Sequence, residues 1–190
     1  MRKGILVALA FMLVACGGNN DKHYYQLPIA PQASDDGQRL PSAVGARHVW
    51  LSRVNVSDYL AGSGVVFQES DVRYVTASNN LWASPLEQQL QQTMVANLSN
   101  ALPGVLVSAS QAQGDQDQLE FNVTGFHGRY DGRAIIQGEW LLTHNGQVSR
   151  HPFILALKQD QDGYDALVRT LAQGWLQIGK DAAGQISRLP

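Results

Sequence analysis

LEFNVTGFHGRYDGRAIIQGEWLLTHNGQVSRHPFILAL, residues 119–157, decides the fold of this chain. It contains Asp131-Gly132 and Asn145-Gly146, dipeptides that suit type I′ hairpin turns, where both central residues need positive φ. Apolar and polar residues alternate around both turns. With two-residue turns, Leu119, Phe121, Val123, Gly125 and His127 share a face with Ile136, Gly138, Trp140 and Leu142. The second turn adds Phe153, Leu155 and Leu157 to it. Glu120, Asn122, Thr124, Gln137, Glu139 and Thr143 point the other way. An antiparallel meander with one apolar face must bury that face. The same register sets Gly125 opposite Gly138, with Phe153 across from Gly138 as a ring that can cover both glycines.

Two helices supply the cover. Ser84, Pro85 and Glu87 read as N-cap, N1 and N3 of a capping box. Leu86, Leu90, Met94, Leu98 and Leu102 follow on one side, and Pro103-Gly104 stops the helix. Gln88, Gln89, Gln91, Gln92, Asn97 and Asn100 are expected to cover much of the rest. The last helix spans Tyr164 to Ile186 with Asp162 as N-cap. Tyr164, Val168, Leu171, Trp175, Ile178 and Ala182 form its buried stripe. Shorter strands are expected at His48–Val56, Val65–Gln68, Val72–Val75 and Val105–Val107, with a loop from Ser57 to Gly64. The fold class is α+β: a mainly antiparallel sheet with two amphipathic helices packed on one face.

The N-terminus reads differently. Arg2 and Lys3 precede an apolar run from Ile5 to Cys16, which at 12 residues is too short to span a bilayer. The run ends Leu13-Val14-Ala15-Cys16, which resembles a bacterial lipobox. That resemblance implies cleavage of residues 1–15, a diacylglyceryl group on the Cys16 sulfur and an acyl chain on its amine. Cys16 is the only cysteine. One acyl chain binds a membrane marginally, whereas several hold it firmly. Gly17 stands where Asp would signal inner-membrane retention, so the resemblance implies the outer membrane, periplasmic face. Residues 16–46 read as the lipidated cysteine and a tether, and 47–190 as a single α+β domain. Within the tether, Tyr24-Tyr25-Gln26-Leu27-Pro28 is an apolar island. It reads either as an edge strand docking on the domain or as a partner-facing patch.

Little else suggests chemistry. Net charge is −2, falling to −4 once Arg2 and Lys3 are removed, and no basic run favours nucleic acid. The histidines His23, His48, His127, His144 and His151 have no metal-ligand spacing. Gly62-Ser63-Gly64 is no nucleophile elbow. Gly174 to Lys180 has phosphate-loop spacing, but Asp181 replaces the needed hydroxyl and the segment lies in a helix. Nothing assembles a catalytic site, so the chain is read as a non-enzyme. No cofactor is expected beyond the covalent chains on Cys16.

The motifs, in order, resemble the PqiC (YmbA) family of auxiliary lipoproteins in ABC-type intermembrane transport. They are the lipobox, Tyr24–Pro28, Val54-Asn55-Val56 leading to Tyr59-Leu60, Leu81-Trp82-Ala83-Ser84-Pro85-Leu86, Phe121-Asn122-Val123, Gly138-Glu139-Trp140 and the closing helix. The resemblance implies an outer-membrane subunit of an MCE-type lipid transport system that supports envelope integrity. Its partners would be a PqiB-like MCE protein and, indirectly, a PqiA-like inner-membrane protein, and a ring of several copies is one arrangement it allows. Tyr24, Tyr25, Tyr59 and Leu60 are the candidate partner contacts, as apolar side chains in loops. The alternative is a lipoprotein that carries lipid in an apolar cavity, for which Gly125 and Gly138 could make room.

Overall fold

The structure, a computed structural model, describes residues 21–29 and 47–189. Cys16, the signal segment and residues 30–46 lie outside them. In chain order the strands are β1 His23–Tyr25, β2 His48–Val56, β3 Gly64–Gln68, β4 Tyr74–Trp82, β5 Leu106–Ser108, β6 Asp117–Arg129, β7 Arg133–His144 and β8 Gln147–Lys158. Helix α1, Leu86–Ala101, lies between β4 and β5, and α2, Tyr164–Ile186, follows β8. No helix of the described residues is long and apolar enough to cross a membrane.

The strands form an eight-stranded sheet with β6 as its hub. One edge of β6 carries β7, antiparallel, and β7 carries β8. The other edge is shared. β2 runs parallel to Asp117–Val123, and β3 runs parallel to Gly128–Arg129. Between them the chain steps aside through a 3-10 turn at Asp58–Leu60, anchored by the Ser57 N–H donating to Val123 O at 3.0 Å. Two limbs leave that edge: β2 carries β5, while β3 carries β4 and β4 carries β1. The class is the expected α+β. The three antiparallel pairings include the long meander, and the limbs add four parallel ones.

The Asn145-Gly146 turn forms as expected, with both residues at positive φ and His144 opposite Gln147. His151 stacks on Trp140 at 3.8 Å. The other turn differs. Arg129 pairs with Arg133, so three residues make the loop and only Gly132 takes positive φ. A bulge at Thr124 then shifts the register again. Val123, not Gly125, lies opposite Gly138. The extra residue also flips the strand beyond it: Phe126 turns into the core and His127 turns to the outer face, the reverse of the alternation expected for them. Phe153 does lie across Gly138, where an added Cβ would sit 2.9 Å from its Cζ and 2.2 Å from Asn122 O. That space is filled, which counts against the alternative of a lipid cavity opened by these glycines.

Three local expectations are corrected. β4 reaches from Tyr74 to Trp82, well past the expected Val75, because β3 and β1 pair with a stretch of small polar residues that shows little periodicity of its own. Helix α1 starts at Leu86 with Pro85 as N-cap, and no Ser84 side chain caps it. Helix α2 starts at Tyr164 with Gly163 as its N-cap, at φ 102°, a backbone conformation that only glycine adopts readily, so Asp162 lies one residue outside the cap.

The helices lie side by side on the inner face of the sheet and share one core. Trp175 ties the layers together. Its ring lies 5.2 Å from Phe121, 6.3 Å from Phe126 and 6.4 Å from Phe153. Its Nε1–H donates to Leu90 O of α1 at 3.1 Å. Buried aromatic rings with a satisfied N–H dominate core energetics at this scale.

Candidate functional site: the dock of the segment next to Cys16

Residues 23–27 are fastened to the body. β1 adds to the end of β4 in parallel, pairing His23 with Asn80, Tyr24 with Leu81 and Tyr25 with Trp82. The Ala83 N–H donates to Tyr25 O at 2.8 Å. Of the two readings of Tyr24–Pro28, the structure forms the docking edge strand. Tyr24 points outward, 63% exposed. Tyr25 points to the body, donating its hydroxyl to Asn80 Oδ1 at 3.2 Å with its ring 6.3 Å from Tyr164. Burial, then the Asp165 carboxylate, hold the Tyr25 phenol above its usual pKa.

Three residue pairs would not hold a strand by themselves. Leu27 and Gln89 supply the rest. Leu27 enters the core at 1% exposed, a burial that contributes about 1.5–3 kcal/mol. Its N–H donates to Gln89 Oε1 at 2.8 Å. Gln89 Nε2 donates to Ser84 O at 2.8 Å and to Tyr25 O at 3.4 Å. Gln89 is therefore 0% exposed and acts as a clasp on the docked segment, not as the solvent cover expected from its position. A signal for it exists: Gln89, Thr93 and Asn97 repeat at spacing four beside the leucine stripe, and all three are buried. A groove of about 330 Å³ runs along the clasp. Leu27, Pro28 and Ile29 line one side, Thr93 and Asn97 of α1 and Ala172 and Leu176 of α2 the other.

The chain returns to the body at Arg47. Its Nε donates to Asp117 Oδ2 at 2.7 Å, and its Nη1 donates to Ile186 O at 2.9 Å. His144 Nδ1 bonds the other Asp117 oxygen. This cluster ties the entry to β2, the start of β6, the end of β7 and the end of α2, and no sequence motif announces it.

The other expected contacts lie elsewhere. Tyr59 is partly exposed on the outer face. Its hydroxyl donates to Thr124 O at 2.8 Å, and its ring lies 5.2 Å from Tyr74 and 6.3 Å from His127. Burial first, then Tyr74, pushes the Tyr59 phenol up to about 12. Burial lowers the His127 pKa, partly offset by its Nδ1–H donating to Gly128 O at 2.9 Å. Leu60 is 1% exposed and belongs to the core, so it presents no contact surface. Tyr25 and Tyr59 therefore sit in separate aromatic groups. Among the described residues, no group of three or more His, Cys, Asp or Glu could hold a metal ion.

The sequence pattern of the family described as "ABC-type transport auxiliary lipoprotein component" matches residues 25–183, from the docked strand into the last turns of α2. The chain is 49% identical over 191 residues to "Intermembrane transport lipoprotein PqiC" of Escherichia coli (strain K12), covering all of both chains, and equally to that of Shigella flexneri. A crystal structure of an uncharacterized protein, 53% identical, superposes with a TM-score of 0.78 over 87% of this chain and 99% of that one. Another, of a protein from Xanthomonas campestris at 16% identity, shares the fold with a TM-score of 0.66, over 87% of this chain and 98% of that one. The chain belongs to the ABC-type transport auxiliary lipoprotein family.

Proposed function

We propose that this protein is a lipoprotein subunit of an MCE-type intermembrane lipid transport system, anchored in the outer membrane and facing the periplasm. After cleavage, Cys16 carries a diacylglyceryl group and an N-acyl chain, and the folded body beyond it is the working part. The body docks the tip of a PqiB-like MCE partner that reaches across from a PqiA-like inner-membrane protein. This contact supports envelope integrity, and several copies can surround the tip as a ring. The observation that carries the reading is the full-length 49% identity to proteins named intermembrane transport lipoproteins, running from the lipobox to the closing helix. The family is one of transport auxiliary components and not of enzymes.

The partner contact is proposed at Tyr59, joined by its exposed neighbour Tyr74 on the outer face. Exposed aromatic pairs are common anchors of interfaces. Tyr24 is exposed too, but on the separate edge beside the anchor.

Purification of the lipidated protein from detergent-solubilised membranes tests the reading. The MCE protein should co-purify. Binding should survive in a soluble Cys16→Ala form and vanish when the folded body is deleted. Loss of the MCE protein from both full-length forms would overturn the docking role, and an unmodified thiol on Cys16 by mass spectrometry would overturn the anchor.

A further inference from the structure

We propose that the face built from β1 and the exposed side of α2, bearing Lys22, Tyr24, Ile29, Arg169 and Gln173, is a phospholipid-contacting surface. It rests on Cys16 being the membrane anchor. Chain length sets which face can reach the bilayer. From Cys16 to the first docked residue, His23, there are seven residues, which reach at most about 25 Å when fully extended. From Cys16 to Arg47 there are thirty-one, a reach of about 110 Å. By fastening residues 23–27, the β1 pairing and the Gln89 clasp shorten the leash about fourfold. A body of about 150 residues has a radius of gyration of about 15 Å and measures roughly 40 Å across. The shortened leash is less than that width. The body cannot turn its far side to the bilayer, and the face where the leash docks stays nearest the lipid.

The chemistry of that face suits the headgroup zone. The two depressions on it adjoin, sharing Pro28 and Arg169. Tyr24 and Ile29 are 63% and 53% exposed, an amphipathic ring and an aliphatic chain. Tyr rings settle at the membrane interface. Lys22 and Arg169 can meet lipid phosphates. Asp165 lies 3.8 Å from Arg169, and Asp21 adjoins Lys22, so the face is close to neutral. Its contact with lipid is accordingly weak alone. The short leash makes it persistent, because tethering raises the effective concentration to the millimolar range.

The test uses the full lipidated chain in vesicles of phosphatidylethanolamine and phosphatidylglycerol. With the Cys16 sulfur blocked as the diacylglyceryl thioether, a single introduced cysteine can carry a fluorophore. Tyr24→Cys and Gln173→Cys report on the proposed face, and Ile154→Cys reports on the exposed far face of the sheet. Nitroxide lipids labelled at the headgroup should quench the first two several-fold more than the third. A Gly/Ser insertion of about twenty residues after Gly18, which leaves the folded body intact, should bring the three together. Equal quenching in protein that still floats with the vesicles would overturn this face while leaving the anchor standing. Strong quenching unchanged by the insertion would overturn the role given to the leash. Protein that no longer floats would overturn the anchor and this surface with it. Cysteine cross-links between copies at Gln173, with no quenching there, would assign the face to a second copy and overturn the proposal.

Discussion

The β6–β7–β8 ladder and the β1 dock are both additions to the same sheet, yet they are held by opposite means. In the ladder, each strand follows its neighbour through a tight turn, and the pairings run for nearly the full length of β7. The dock joins residues more than fifty positions apart through three parallel pairs, a buried leucine and one glutamine amide. Local turns let the strands of the ladder pair without the distant contacts that the dock needs. The dock depends on the whole body being assembled first, and segments with few contacts of their own open at the low end of the stability scale. β1 is thus among the less firmly held parts of the sheet.

Trp175→Ala removes what the two regions share, the ring that joins α1 to the ladder. It should cost about 3–5 kcal/mol, read as a fall in the denaturant midpoint, with both regions losing amide protection together. Gly138→Ala strikes the ladder alone. Its Cβ would meet Asn122 O and the Phe153 ring, costing up to about 3 kcal/mol. Hydrogen exchange should quicken in β7 and β8 before the Leu27 amide changes.

Gln89→Ala strikes the dock alone. It leaves the Leu27 N–H without its acceptor, at about 2 kcal/mol. The Leu27 amide should exchange freely while β7 amides keep their protection. If both quicken equally, the dock is no separate unit and the contrast fails. Gly146→Ala places a Cβ in a left-handed turn residue and should cost about 1 kcal/mol, confined to the end of the ladder in thermal melts.

The smallest effect is that of pH on His127, which packs against Tyr59 and Tyr74 with Arg129 nearby. Its folded pKa lies below the unfolded value of 6.5, so the unfolded chain takes up the proton first. Stability is full above that value and is lost as pH falls from it toward the folded pKa. His127→Phe should flatten denaturant midpoints across this window. Some slope should remain from His151, whose pKa burial also lowers.

Much of the fold could be read from the residues. The Asn145-Gly146 turn, the extent of α2 and the facing of His151 on Trp140 all follow from short-range pattern. The Thr124 bulge was invisible, because an inserted residue in an alternating strand leaves no local mark until its partner strand is known. For the site, the aromatic island at Tyr24–Pro28 stood out in a polar segment, but whether it docked or faced a partner did not. The repeat of Gln89, Thr93 and Asn97 marks Gln89 as facing the body, but not as a clasp, because its partners are backbone groups that only the fold brings to it. Leu60 falls in the loop expected from Ser57 to Gly64, and its burial depends on a turn that only the shared edge of β6 explains.

By itself, then, the amino-acid order determined the meander, the two amphipathic helices and the α+β class. Each of these rests on interactions within a few residues: a positive-φ turn, an alternation of two, a stripe near 3.6. Tertiary structure alone decided that residues 23–27 are fastened to the body. Parallel pairing has no connecting turn to announce it. A polar side chain such as Gln89 can be buried only after the fold has carried its partners to it from some sixty residues away.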